Sequence, residues 1–110
     1  MDKVKKYQNI LLEFMEEYAS TPYANAPEVK NQVIADRERN HFQVVSVGWQ
    51  NGRFVHDVIF HFDILDGKVW VQQNWTEVRL ERELPSRGIA ASDIVVGFVP
   101  SEMRELAVAA

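Results

Sequence analysis

The chain has 110 residues, a 46% hydrophobic fraction and a net charge of −4, which predicts one globular domain spanning residues 1–110. It has no cysteine, which excludes a disulfide framework and thiolate chemistry and fits a cytoplasmic location. No apolar stretch reaches the length of a membrane span, and basic residues are scattered among acidic ones, so neither membrane insertion nor direct nucleic-acid binding is expected.

The N-terminal segment predicts an amphipathic helix from about residue 3 to residue 19. Ser20, Thr21 and Pro22 follow it as an end signal. A sheet with an apolar face follows in the chain, so we expect the helix to cover that face, although a partner-binding helix would show the same pattern. The apolar residues that recur at steps of three and four are Val4, Tyr7, Leu11, Phe14 and Tyr18.

Two turn dipeptides predict how three of the strands pair. Asn-Gly at residues 51–52 and Asp-Gly at residues 66–67 are typical of two-residue hairpin loops, because both central residues must accept a positive φ. A further strand over residues 29–36 completes a four-stranded antiparallel meander sheet in an α+β fold. Counting outward from the turns gives these facing pairs: Trp49 with Phe54, Val45 with Val58, Ile64 with Val69, and Phe60 with Gln73.

Alternation along these strands divides the side chains between two faces. One face is apolar, carries residues such as Val45, Trp49, Phe54, Phe60 and Val71, and is the face that the helix is expected to cover. The other is mixed, and either the segment over residues 94–99 covers it or another protein chain does. The residues predicted to bind a partner on this mixed face are Phe42, Val44, Asp57, Ile59, His61, Trp70 and Gln72.

The C-terminal third predicts short elements. Residues 76–88 predict a short helix with Leu80 and Leu84 directed inward, although Pro85 interrupts it. The apolar run at residues 94–98 is too short for a helix, so we expect a buried extended segment. Residue 100 is a proline that opens a last helical stretch, which we expect to fade over residues 107–110.

His61 and Asp63 are the candidates for a metal or acid–base site, because they share the mixed face. A metal needs another strong ligand, and the regular register places His41 and His56 on the apolar face. The expected arrangement is therefore a half-buried histidine bonded to Gln72 or a carboxylate, without metal or cofactor. No nucleophile, base and oxyanion site come together in the sequence, so we expect no enzyme activity.

Several strings of the sequence match a pattern known from one family. RNHFQVVSVGWQ at residues 39–50 is similar to that family's charged turn, aromatic strand and Val-Gly-Trp. FHFDI at 60–64, DGKVWVQQN at 66–74 with Thr76 and Glu77, and DIVVGF at 93–98 followed by Pro100 continue the likeness. Together with the opening Met-Asp-Lys and Tyr7, they resemble the XisI family, factors that control excision of the cyanobacterial fdxN element.

The resemblance implies a cytoplasmic α+β protein that works with an XisH-type partner and a site-specific recombinase to excise a DNA element during heterocyst development. It implies no catalytic or ligand residues. Two functional classes remain open, namely a regulatory protein that contacts an XisH-type partner, and a direct DNA-binding directionality factor. A small accessory subunit of a nuclease-like complex is a further alternative. The acidic balance favours the first. The mixed face itself, with Trp70 among polar residues such as His61 and Gln72, resembles an interface core with a polar surround, so we expect a homodimer through that face.

Overall fold

A computed structural model describes residues 2–104 and gives them two α-helices and five strands. Helical 3-10 turns at Ala91–Asp93 and Ser101–Met103 flank the last strand. The expected continuation of the final helical stretch over residues 107–110 lies outside the described residues. The elements in chain order are α1 (Lys3–Ala19), β1 (Lys30–Asp36), β2 (His41–Gln50), β3 (Arg53–Leu65), β4 (Lys68–Asn74), α2 (Leu80–Ser86) and β5 (Ile94–Val96).

Helix α1 has the predicted position and covers one face of the sheet. The Asp2 carboxylate caps it by accepting a hydrogen bond from the Val4 N–H at 3.0 Å. Leu11 and Met15 are fully buried, and the Phe14 ring meets Phe60 edge to face at a centroid distance of 5.3 Å. The apolar stripe therefore serves to cover the sheet, as predicted. No helix among residues 2–104 is long and apolar enough to cross a membrane.

The sheet has the strand order β1-β2-β3-β4-β5. Its first four strands form the predicted antiparallel meander, so the α+β fold class is confirmed. The apolar run after residue 93 adds a fifth strand, β5, which pairs with β4 in parallel. A parallel neighbour requires a crossover connection, and the segment that contains α2 supplies it. Ile94–Val96 therefore form a half-buried edge strand beside β4 and do not themselves cover the second face.

Both predicted hairpin turns are present. Asn51 and Asp66 have φ values of 51° and 52°, and the glycines after them also have positive φ. The predicted pairs nearest each turn are confirmed: Trp49 with Phe54, Val45 with Val58, and Ile64 with Val69. The turns therefore fix the register as far as the chain remains regular.

Two β-bulges interrupt that regular register. Val44 pairs with Phe60 while Val45 pairs with Val58, so Ile59 is an extra residue in β3. In the same way, Gln72 is an extra residue in β4. The predicted pairing of Phe60 with Gln73 is therefore wrong, since Phe60 faces Asn74. Each bulge exchanges the faces on which the following residues lie.

The bulges move residues between the two faces. Phe42, Val44 and Ile59, predicted on the mixed face, are buried in the core instead. Trp49 and Phe54, predicted on the covered face, are exposed. We call the face beneath α1 the inner face, which carries Phe42, Val44, Phe60, Phe62, Ile64, Val69 and Val71. The opposite surface is the outer face, which carries His41, Gln43, Val45, Trp49, Phe54, His61, Asp63 and Trp70.

Candidate functional site

A row of residues crosses the outer face along successive strand pairings. Asp36 faces His41, and His41 faces Asp63. Asp63 in turn faces Trp70 on β4. Because directly opposed residues share a face, the row brings a histidine, a carboxylate and an indole together where β2 begins and β3 ends. His61 joins them because it lies two residues before Asp63 on the same strand.

His41, His61 and Asp63 form a compact cluster, which we call the His–Asp–His cluster. Asp63 Oδ1 lies 2.7 Å from His41 Nδ1 and 2.9 Å from His61 Nε2. These three atoms all lie within 4.8 Å of one another. The two imidazole rings are nearly perpendicular, with a centroid distance of 6.5 Å. One carboxylate oxygen thus holds both histidines from two adjacent strands.

Two glutamine side chains hold the cluster from outside. Gln72 Nε2 donates to Asp63 Oδ2 at 3.2 Å, so both oxygens of the carboxylate are engaged. Gln43 Nε2 lies 3.2 Å from His61 Nδ1. When His61 carries its proton on Nε2 and donates it to Asp63, its Nδ1 is free to accept a hydrogen bond from the Gln43 amide. Since Gln72 is the extra residue of the β4 bulge, the bulge itself directs an amide toward the carboxylate.

The surroundings keep Asp63 ionised. Burial raises the pKa of the Asp63 carboxyl, but the hydrogen bonds from His41, His61 and Gln72 outweigh it and hold the pKa below its usual value. The Asp63 side chain is 13% exposed, whereas the side chains of His61 and His41 are 28% and 54% exposed. An anionic oxygen therefore lies beneath two imidazoles that solvent reaches.

The segment after β5 contacts the β4 side of the cluster. The Arg104 guanidinium lies over the Trp70 ring at 5.0 Å and donates to the carbonyl oxygens of Val96 and Val99. Gly97 approaches so closely that an added Cβ would lie 3.2 Å from Trp70 Cε3. Part of the mixed face is thus covered from within the chain, on its Trp70 side.

The predicted partner-binding residues are distributed over three places. His61, Trp70 and Gln72 lie together on the outer face, as predicted. Phe42, Val44 and Ile59 belong to the core, so their predicted placement on an accessible face is wrong. Asp57 lies away from the His–Asp–His cluster, where it faces Ser46 and lines a cleft beside Tyr23 and Trp75. The partner-binding role of the accessible residues stays a prediction.

His41 is the residue of this cluster that sequence reasoning missed. The regular register placed it on the apolar face, and the prediction of no metal rested on the absence of a second histidine near His61. That premise is wrong, because the bulge at Ile59 moves Asp63 opposite His41. A signal was available in the sequence: adjacent apolar pairs, Val44-Val45 and Ile59-Phe60, break the alternation of both strands where the bulge lies.

The outer face also carries two exposed aromatic side chains. Trp49 and Phe54 flank the β2–β3 turn and are 57% and 51% exposed. Their rings meet edge to face at a centroid distance of 5.3 Å. We call them the hairpin aromatic pair. This pair and the His–Asp–His cluster mark opposite ends of β2 and β3 on one surface.

Comparison with known proteins gives a consistent result. The family model described as XisI protein matches residues 1–110. A XisI-like protein from Anabaena variabilis is 38% identical, with a TM-score of 0.83 and 94% of each chain covered. The structure of the fdxN element excision controlling factor XisI from the same organism is 26% identical, with a TM-score of 0.76, and the match covers 96% of this chain and 95% of that one. No curated protein sequence matches this chain.

Proposed function

Because the chain belongs to the XisI family, we propose that it controls the excision of a DNA element by binding a protein partner, without catalysis of its own. The observation that carries this proposal is the family match over residues 1–110. It is supported by the 26% identity with a structure named as an excision controlling factor of the fdxN element. The partner is of the XisH type.

The hairpin aromatic pair supports contact with another protein. Exposed tryptophan and phenylalanine are enriched at the cores of protein interfaces, because a large rigid ring buries much apolar area at little cost in side-chain entropy. Trp49 and Phe54 lie on the outer face, away from the helix that covers the inner one. Gln50 and Arg53, the next pair toward the turn, lie on the opposite face, so they leave the two rings uncovered.

Charge disfavours the alternative of a direct DNA-binding factor. Nucleic-acid affinity comes largely from arginine and lysine side chains that are free to neutralise phosphates. Here Arg87 pairs with Glu17 and Glu83, and Arg39 pairs with Asp36 at 3.0 Å. With a net charge of −4 over the whole chain, the electrostatic field repels a polyanion.

Co-expression with an XisH-type protein from the same genome tests the proposal. The tagged chain should retain that protein through affinity purification, and Trp49→Ser and Phe54→Ser should each reduce its recovery about tenfold or more, as expected when an interface anchor is lost. Trp75→Ser is the matched control, because Trp75 is even more exposed but lines the cleft beside Asp57.

Two results would contradict the proposal. In the first, the wild-type chain retains no XisH-type protein. In the second, the chain by itself shifts the mobility of duplex DNA at physiological salt in the presence of excess competitor, which would favour a directionality factor.

A further inference from the structure

The His–Asp–His cluster has no part in the function proposed above, and its donor atoms have the chemistry of a metal site. Two imidazole nitrogens and one carboxylate oxygen all lie within 4.8 Å of one another. Imidazole suits borderline divalent ions, whereas Ca²⁺ and Mg²⁺ are bound chiefly by oxygen ligands. Three protein ligands with an open position are typical of zinc sites that also take water or an external group.

We propose that His41, His61 and Asp63 bind a divalent transition-metal ion, for which Zn²⁺ is the best fit. Around a tetrahedral Zn²⁺ ion, ligand atoms about 2.0–2.1 Å from the metal lie about 3.3 Å from one another. The separations of 2.7 and 2.9 Å from Asp63 Oδ1 to the two imidazole nitrogens need to widen by a few tenths of an ångström. The proposal therefore requires small rotations of the three side chains on β2 and β3 when the ion binds.

The two glutamines provide the outer support that metal ligands require. A ligating carboxylate or imidazole is oriented by a hydrogen bond to its remaining polar atom. Gln72 holds Asp63 through Oδ2 and leaves Oδ1 directed at the histidines. Gln43 lies beside His61 Nδ1, and a half rotation of its amide presents an oxygen to the Nδ1–H of a metal-bound imidazole.

Access and neighbouring charge agree with an open site. His41 is half-exposed, so an ion reaches the cluster from solvent and keeps a coordination position on the solvent side. Asp36 faces His41 across the strands, but its carboxylate accepts hydrogen bonds from the Glu38 and Arg39 N–H groups and from the Arg39 guanidinium. The Asp36 carboxylate is thus held by Arg39 and is not one of the proposed ligands.

Zinc titration of the full chain, without a polyhistidine tag and after treatment with EDTA, tests the site. In competition with a chromogenic chelator, the wild type should bind one Zn²⁺ per chain. His61→Gln and Asp63→Asn should each weaken binding about 100-fold or more, because each removes a ligand while preserving shape and hydrogen bonding. His56→Gln is the matched control, since His56 is the remaining histidine of the chain and faces Val47, away from the cluster.

Asp63→Asn removes a negative charge as well as a ligand atom, so a second variant that changes neither is needed. Gln72→Ala leaves all three ligands in place and should weaken Zn²⁺ binding about 10- to 100-fold, the usual effect of removing an outer hydrogen bond. The visible absorption of bound Co²⁺ should change in the same variant. An unchanged affinity and spectrum would contradict ligation by the Asp63 carboxylate that Gln72 holds.

The proposal is overturned if the wild type binds no stoichiometric Zn²⁺, or if His61→Gln and Asp63→Asn bind as tightly as His56→Gln. Circular dichroism of each variant establishes that it is folded. Should the ligand variants unfold, imidazole NMR signals of the wild type decide instead. Zn²⁺ should shift the signals of His41 and His61 and leave those of His56 in place, and a uniform or absent response would contradict the site.

Discussion

Phe60 is the residue through which the sheet makes most of its aromatic contacts with α1. Its ring lies 5.3 Å from the Phe14 ring, 5.0 Å from the Tyr18 ring and 5.7 Å from the Phe62 ring, measured between centroids. The side chain is fully buried. Edge-to-face and stacked contacts of this kind add to the free energy of burial.

Phe60→Ala should therefore lower the free energy of unfolding by about 3–5 kcal/mol, since it removes buried apolar surface and leaves a cavity. Urea unfolding followed by circular dichroism measures the change. Phe54→Ala is the matched control: Phe54 lies on the same strand but is about half-exposed, so its loss should cost about 1 kcal/mol or less. Equal costs for the two variants would show that the faces have been assigned wrongly.

His41 shows how far the candidate site could be predicted at the level of single residues. Period-two alternation correctly placed His61, Asp63, Trp70 and Gln72 on one face, because they lie on β3 and β4 close to the second turn. His41 lies on β2, and its pairing with β3 was counted from the first turn. That count passes Ile59, the extra residue of β3, so it paired His41 with the wrong residue. One inserted residue was enough to place it on the wrong face.

The elements of this fold differ in how strongly the local sequence determines them. Helix α1 and both hairpin turns were predicted correctly, because the apolar stripe, the end signal and the positive-φ dipeptides are local chemistry. The bulges were not predicted, because they depend on how two strands fit together beneath α1. Strand β5 was recognised as an extended segment, but three residues do not specify which strand they pair with.

Gly48 is the position in β2 where the loop before β1 approaches most closely. Its φ is +147°, and an added Cβ would lie 2.9 Å from Val29 Cα and would also overlap the Glu28 carbonyl oxygen. Because backbone atoms cannot rotate out of the way as a side chain can, the absence of a Cβ lets the loop lie against the strand.

Gly48→Ala should consequently lower the free energy of unfolding by about 1–3 kcal/mol through overpacking. The change should appear as a lower midpoint of thermal unfolding. Gly52→Asn is the control, because Gly52 has a φ of +76°, which asparagine tolerates, and no atom within 4 Å of an added Cβ. A stability of Gly48→Ala equal to that of the wild type would mean that the loop moves freely away from β2.

Viewed as a whole, the molecule covers its two sheet faces very differently. Helix α1 closes the inner face, and Arg87 joins it to α2 by pairing with Glu17 and Glu83 while lying over the Phe14 ring. On the outer face, Gly97 and Arg104 pack near Trp70, while Trp49 and Phe54 stay about half-exposed. The hairpin aromatic pair therefore remains available to another chain.

From this asymmetry we predict a homodimer centred on Trp49 instead of Trp70, and we expect the XisH-type partner to compete with self-association for the hairpin aromatic pair. A two-fold axis near the β2–β3 hairpin would bring Trp49 and Phe54 of one chain against the same residues of its partner and bury four exposed rings. Trp49→Glu should then give a folded monomer, because a carboxylate placed in that contact would be desolvated without a counter-charge. Sedimentation equilibrium measures the mass, and circular dichroism establishes that the fold is unchanged.

Two further tryptophan variants make the dimer prediction specific to one surface. Trp75→Glu should remain dimeric, because Trp75 is exposed but lies beside the cleft that contains Asp57. Trp70→Glu should lower stability instead of mass, since it removes an indole that packs against Gly97 and places a second carboxylate beside Asp63. A wild type that sediments as a monomer would contradict the dimer. Dissociation of Trp75→Glu, with Trp49→Glu still dimeric, would place the two-fold contact on the cleft side of the sheet.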